Sequence, residues 1–297
     1  MFIMNATIER PKMRSEIEDE IKNQKLEIFN SQIAGLLAQE EPISIKQLCD
    51  EMCLLMVHAL PDDLDYNDSL GGFTKRMPWE MALDTVLNQP IQNLCCSSVL
   101  PGDRYNRWGG TIYGVVINNG KIQHAKKSDA NSWNQPLDDS KDRSPTNSEI
   151  AEAIRKPDER AINEFQIKTN PEDIIPYLDL DIILEYCWKG HLCSVDRSFT
   201  EKGQTVITKK NTLSKIREFP EQMKKRGFKP VCLYRGKLVE LDLNELADMI
   251  GNNFDQDQLT GTDYQKYHRV KANYGLLQEY INRSIKSIEL DEVKIKL

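Results

Sequence analysis

The stretch that decides the fold is Thr111-Ile112-Tyr113-Gly114-Val115-Val116-Ile117-Asn118-Asn119-Gly120-Lys121-Ile122-Gln123-His124. Its first half is the clearest strand pattern in the chain, because β-branched and aromatic residues follow one another without a charged break. The Asn-Asn-Gly sequence that follows is typical of a tight turn, since asparagine and glycine tolerate positive backbone φ angles. The pattern predicts a β-hairpin and, with it, an antiparallel β core in the middle of the chain.

Other segments predict what surrounds this core. Strands are expected at 93–99 and 164–168, and a second hairpin at 231–241 around Gly236. Helices are expected at 12–40, from Ser44 to His58, and at 78–87, 149–155, 215–226, 243–250 and 264–285, whereas 182–188 fits either a helix or a strand. The class predicted is α+β, with N-terminal helices, a central split antiparallel β core and a mixed helical C-terminal region. We expect a helical lead-in at 1–45, a core at 46–190 and an accessory or target-recognition region at 191–297.

Composition limits the classes of function. The 297 residues carry a net charge of -7, which argues against a nucleic-acid binder with a broad phosphate-neutralising face. No apolar run has the length of a membrane span, and the first residues lack the pattern of a cleavable signal peptide. The odd count of seven cysteines favours reduced thiols. We therefore expect a soluble protein that is cytoplasmic or exported without a cleavable signal peptide.

One predicted strand carries a single acidic residue. It is Asn163-Glu164-Phe165-Gln166-Ile167-Lys168-Thr169, and a Pro-Glu-Asp-Ile turn follows it. Upstream, one predicted strand ends in Cys95-Cys96-Ser97-Ser98, and another, with Tyr113, follows two glycines. Short antiparallel strands thus offer serines, an aromatic ring and a late glutamate.

This arrangement resembles the split β core of mono-ADP-ribosyltransferases. The resemblance implies that Glu164 is the catalytic glutamate, that Ser97 or Ser98 is the serine supporting it, and that NAD is the co-substrate. It also implies that His58 is an early NAD-contacting residue and that Tyr113 offers an aromatic surface to nicotinamide. The chain departs from the family pattern at Gln166, where a Glu-x-Glu doublet would place a second acid. Through the resemblance, the function expected is NAD-dependent modification of a macromolecular target, as in bacterial effectors and toxins.

Two other kinds of site are open. The cluster Cys187, His191 and Cys193 has the donor types of a zinc site, although its spacing matches no common finger. A cysteine hydrolase would need a thiol nucleophile paired with an imidazole and an acid. The candidates are Cys53, Cys95 or Cys96, paired with His124 or His191 and oriented by Asp129 or Asp196.

A basic stretch offers a non-enzymatic alternative, which is an interaction protein that docks an acidic partner. Its positive residues lie between positions 202 and 229. They are Lys202, Lys209, Lys210, Lys215, Arg217, Lys224, Lys225, Arg226 and Lys229.

Overall fold

The computed structural model describes residues 27, 29–35, 37–60, 66–67, 73–74, 79–104, 112–126, 144–154, 164–189, 198–199, 205–206, 209–254 and 263–295. Among these residues lie eight α-helices and a nine-stranded, mostly antiparallel sheet. The predicted α+β class is confirmed.

The helices and strands have the following bounds. Helix α1 covers described residues between 27 and 37. The other helices are α2 Ile45–Met52, α3 Trp79–Asn88, α4 Asn147–Ile154, α5 Leu180–Lys189, α6 Lys209–Lys225, α7 Leu243–Asn253 and α8 Asp263–Ser284. The strands of the large sheet are β1 Leu55–Ala59, β4 Ile91–Val99, β5 Tyr113–Ile117, β6 Lys121–Lys126, β7 Glu164–Thr169, β8 Ile174–Asp179, β11 Cys232–Tyr234, β12 Lys237–Glu240 and β13 Lys286–Ser287. Two short ladders pair β2 Tyr66–Asn67 with β3 Phe73–Thr74 and β9 Ser198–Phe199 with β10 Thr205–Val206.

The large sheet consists of two blocks that one strand joins. Its order is β13-β12-β11-β8-β5-β1-β4-β7-β6. The C-terminal part of β4 pairs with β1, while its N-terminal part, up to Cys96, pairs with β7. A register shift between Ile91 and Leu94 marks an irregularity in β4. This irregularity lies within the part of β4 that pairs with β7, whereas β4 changes partner further along, between Cys96 and Ser97.

The predicted hairpin at Asn118–Gly120 is wrong. β5 pairs with β1 and β8, whereas β6 pairs with β7 at the far edge of the sheet. Ile117 and Lys121 are only four positions apart, so the chain between them spans at most roughly 14 Å. Four strand spacings in a flat sheet would need about 19 Å, so the sheet must curl at this point.

The curl is built at a corner where two strands leave one block and enter the other. β5 runs through 118–120 into β6, and its partner β8 is preceded by β7 through the 3-10 turn Pro171–Asp173. Hydrogen bonds hold the corner: Asn118 N donates to Asp173 O, and Thr169 Oγ1 donates to Asn119 O. Gly120 has a φ of +151°, and a Cβ there would lie 2.6 Å from Lys168 O. The Asn-Gly sequence therefore forms a corner between blocks, where sequence pattern alone predicts a hairpin turn.

The second predicted hairpin is confirmed. β11 and β12 pair antiparallel, with Tyr234 opposite Lys237. Arg235 and Gly236 have φ angles of 48° and 67°, which is the left-handed pair that a two-residue turn of this type needs. β11 also pairs in parallel with β8, so residues on both sides of the predicted boundary at 190 share one sheet.

One other prediction differs from the structure. The helix expected from Ser44 to His58 ends at Met52, because Cys53 adopts a left-handed conformation (φ 50°) as its C-cap. The chain then extends into β1, which places His58 in a strand. Strand β8 was not predicted, since Pro176 lies inside it and proline is rare in central strands. The helix α2 itself begins as predicted, with a capping box between Ser44 and Gln47.

The core lies between this sheet and the helices. Trp79 at the start of α3 stacks on Tyr113 of β5, with ring centroids 4.0 Å apart, and Phe219 of α6 lies 6.1 Å from Trp79. All three rings are at most 2% exposed. These aromatic contacts fix α3 and α6 against β5.

Candidate functional site

Strands β4, β7 and β6 present a row of polar side chains on one face of the sheet. Cys95 of β4 and His124 of β6 each lie opposite Gln166 of β7, and Lys126 lies opposite Glu164. Directly opposed residues in an antiparallel ladder point to the same face, and so do residues two apart along a strand. We call this surface the polar face. It comprises Cys95, Lys121, His124, Lys126, Glu164, Gln166 and Lys168.

The polar face alternates with an apolar one. Phe165 and Ile167 of β7 are fully buried. In the neighbouring strands, Leu94 is 7% exposed and Ile122 is 5% exposed. Alternation of buried and accessible residues is what a sheet with one packed face requires. The polar face is thus the solvent side of this block, and Glu164 and Gln166 are half-buried within it.

Glu164 is held by two neighbours on the polar face. Its Oε1 accepts a hydrogen bond from the Cys95 thiol at 3.5 Å and one from Gln166 Nε2 at 3.5 Å. Both contacts are long and therefore weak individually. Together they restrict the orientation of the carboxylate while leaving it partly open to solvent.

The structure brings Ser97 close to Glu164. The register Cys96–Phe165, continued by one residue, places Ser97 opposite Glu164 on the same face. Ser97 is 6% exposed, so it lies at the inner margin of the polar face. Of the two predicted serines, Ser97 is the one on the side of the predicted catalytic residue.

His58 and Ser98 lie on the opposite face. Val57 pairs with Ser97, so the next residue, His58, points to the other side of the sheet, as does Ser98. The His58 ring reaches sideways, and its Nδ1 donates to the carbonyl oxygen of Cys95 at 2.6 Å. Burial lowers the pKa of His58, and the hydrogen bond to Cys95 opposes that shift only in part. The ring is therefore neutral at pH 7.

Tyr113 is also on the face opposite Glu164. Its neighbour Gly114 pairs with Ala59, and Tyr113 itself is 1% exposed beneath Trp79. A ring in this position serves the core. The predicted contacts of Tyr113 and His58 with NAD stay predictions, and the function proposed below does not depend on them.

The thiols differ in their suitability for nucleophilic chemistry. Cys96 is buried, and burial raises its pKa well above the usual range, so the thiol stays protonated. Cys53 is exposed at the end of α2. Cys95 is exposed, but its thiol meets the Glu164 carboxylate, and His58 meets its carbonyl oxygen rather than its sulfur. His124 lies two strands away, roughly 10 Å between backbones. His191, Asp129 and Asp196 lie outside the described residues.

Of the three residues of the predicted zinc cluster, only Cys187 lies in the part of the chain that the structure describes. Cys187 is fully buried in α5, and His191 and Cys193 lie outside the described residues. Within the described ranges, no group of three or more His, Cys, Asp and Glu side chains is arranged to hold a metal ion.

Intramolecular ion pairs occupy part of the predicted basic stretch. Arg226 contacts Asp84 of α3 at 2.7 Å, and Arg217 contacts Asp248 of α7. Lys229 lies 3.7 Å from Glu240. These cations tie α6 and the segment after it to the rest of the fold, which leaves fewer of them for an acidic partner. Lys202 lies outside the described residues.

The lysines of the polar face are functional candidates that the sequence patterns do not predict. Lys121, Lys126 and Lys168 are exposed; Lys168 lies on the strand of Glu164, and Lys121 and Lys126 lie on the facing strand β6. The alternation Glu-x-Gln-x-Lys in β7 would have placed Lys168 on the face of Glu164. The predicted hairpin pairs β6 with β5, whereas in the structure β6 pairs with β7. Only this long-range pairing places Lys121 and Lys126 on the face of Glu164.

Comparisons with protein-family models, with curated proteins and with solved structures found no match. In the part of the chain that the structure describes, no helix combines the length and the apolar character needed to cross a membrane.

Proposed function

We propose that the protein is an NAD-dependent ADP-ribosyltransferase that modifies a macromolecule, with Glu164 as its catalytic carboxylate. The observation that supports this most is the setting of Glu164. It is half-buried on the solvent side of the sheet, and two donors contact its Oε1. A carboxylate that is oriented before the substrate arrives can stabilise developing positive charge without reorganising.

The chemistry needs such a group. The bond that breaks joins C1′ of the ribose to the nicotinamide nitrogen, and its electron pair leaves with nicotinamide. Positive charge then develops on the ribose, as in glycoside cleavage, and a nearby carboxylate stabilises it. A nucleophile on the target, or water, donates a lone pair to C1′, and Glu164 accepts the proton that this nucleophile loses.

Two further features support the proposal. The sheet is split into two blocks at the corner near Gly120, in keeping with the split core that the sequence resemblance implies. Ser97 lies opposite Glu164, where a serine supporting the glutamate is expected. Gln166 takes the place of a second acid and donates to Glu164, so it contributes orientation and no charge.

Release of nicotinamide from NAD tests the proposal. The full chain and its Glu164→Gln variant are compared, with Glu218→Gln as a control because Glu218 is an exposed carboxylate on α6. We expect the Glu164→Gln rate to be at least about 100-fold lower, with unchanged thermal unfolding, and the control to match the unaltered chain. Absence of nicotinamide release by the unaltered chain, with water and candidate protein targets both supplied, would overturn the proposal.

A further inference from the structure

Two lysines lie directly opposite each other on the polar face. Lys121 of β6 pairs with Lys168 of β7, and both side chains are exposed. Like charges directly opposite each other destabilise a strand pair. Within the described ranges, no ion pair involves either residue.

Protection of the sheet edge does not account for both. β6 is the last strand of the sheet, and lysines on an edge strand discourage pairing with other chains. Lys168 belongs to β7, which lies between β4 and β6 and is not an edge. Its position opposite Lys121 therefore needs another reason.

We propose that Lys121 and Lys168 bind the diphosphate group of a nucleotide whose other end reaches Glu164. A diphosphate carries the charge that offsets the repulsion between the two ammonium groups. Both lysines lie on the face of Glu164, because Lys168, Gln166 and Glu164 alternate along β7. The half-buried His124 lies on the same face between them and the carboxylate, opposite Gln166.

The spacing fits a dinucleotide. Lys168 and Glu164 are four positions apart, which is roughly 14 Å along a strand. The long, flexible lysine side chain shortens the distance that a ligand must bridge, and the remaining gap leaves room for one ribose between the diphosphate and the reacting carbon. A small site with two opposed cations on a chain of net charge -7 suits a compact anion better than a nucleic-acid backbone. The identity of the reacting end of the ligand rests on the proposed function. The anion site formed by the two lysines does not depend on it.

Calorimetric titration with ADP-ribose, inorganic pyrophosphate and adenosine tests the site. We expect Lys168→Gln to weaken ADP-ribose binding by about tenfold and Lys121→Gln/Lys168→Gln by more, since a charged hydrogen bond contributes on this scale. Pyrophosphate should follow the same order, and adenosine, which has no phosphate, should show no dependence on the lysines. Lys237→Gln is the matched control, because Lys237 is an exposed strand lysine in the other block.

Nicotinamide release, measured on the same variants, separates this inference from the proposed function. If the double variant raises the KM for NAD with little change in kcat while Glu164→Gln lowers kcat, both stand. If ADP-ribose binding depends on the lysines but no variant releases nicotinamide, the anion site stands and the transferase proposal falls. If nicotinamide is released with an unchanged KM in the double variant, or if the unaltered chain binds neither ADP-ribose nor pyrophosphate, the anion site is wrong.

Discussion

His58 Nδ1 lies 2.6 Å from the carbonyl oxygen of Cys95, although the two side chains point to opposite faces of the sheet. The same Cys95 donates its thiol to Glu164 on the polar face. One residue of β4 thus contacts an imidazole through its backbone and a carboxylate through its side chain. The position of β4 relative to both β1 and β7 therefore sets the surroundings of Glu164.

Replacement of Cys95 tests its role as a positioning residue for Glu164. We expect Cys95→Ala to lower kcat for nicotinamide release by up to about tenfold, with KM unchanged, because a neutral hydrogen bond to the carboxylate is lost. Cys95→Ser keeps a donor and should retain most of the rate. Equal loss in both variants, with Glu164→Gln still active, would instead indicate a thiol nucleophile.

The stability of the fold should depend on the protonation of His58. Its pKa is below the usual 6.5 in the folded state, so the unfolded chain binds more protons in the interval between the two values. The free energy of unfolding therefore falls as the pH drops through about 6.5 and levels off only below the folded pKa. Urea denaturation from pH 8 to pH 5 measures this fall.

Two histidine variants assign that pH dependence. His58→Gln should remove this part of the fall, whereas His124→Gln should keep it, because it leaves His58 and its hydrogen bond to Cys95 in place. A fall of the same size in both variants would show that His58 is not its source.

A side chain at Gly120 should destabilise the corner between the two blocks. A Cβ there would meet Lys168 O at 2.6 Å in a backbone conformation that L-residues rarely adopt. We expect Gly120→Ala to lower the free energy of unfolding by about 1–3 kcal/mol. Gly275→Ala is the contrasting change, since Gly275 is helical with nothing within 4 Å of a new Cβ, and it should stabilise by about 0.5–1 kcal/mol. Chemical denaturation of both variants checks the signs, and a neutral Gly120→Ala would contradict the corner geometry.

The aromatic contact between Trp79 and Tyr113 should matter far more than an exposed tryptophan does. Trp79 is 2% exposed, whereas Trp188 at the end of α5 is 41% exposed. We expect Trp79→Ala to cost about 3–5 kcal/mol and Trp188→Ala roughly 1 kcal/mol. If Trp79→Ala does not fold, Trp79→Phe should still unfold at a lower urea concentration than the unaltered chain. Equal effects of Trp79→Ala and Trp188→Ala would show that α3 is not anchored through this contact.

The sequence by itself determined most of the local structure. Hydrophobic periodicity located the later helices, and the alternation of Glu164 to Lys168 gave strand β7. The hairpin at Arg235–Gly236 was also predictable, because a two-residue turn with positive φ angles is a local property.

Only the tertiary structure decided which strands meet. The Asn-Asn-Gly segment suits a hairpin turn, yet pairing of β5 with β1 and β8 and of β6 with β7 makes it a corner. Strand β8 contains Pro176, so its sequence does not have the pattern of a central strand. Its place between β5 and β11 comes from contacts far apart in sequence. The same long-range pairing put Lys121 opposite Lys168 and separated His58 from Glu164, because the face on which a side chain lies depends on register, and register depends on the partner strand.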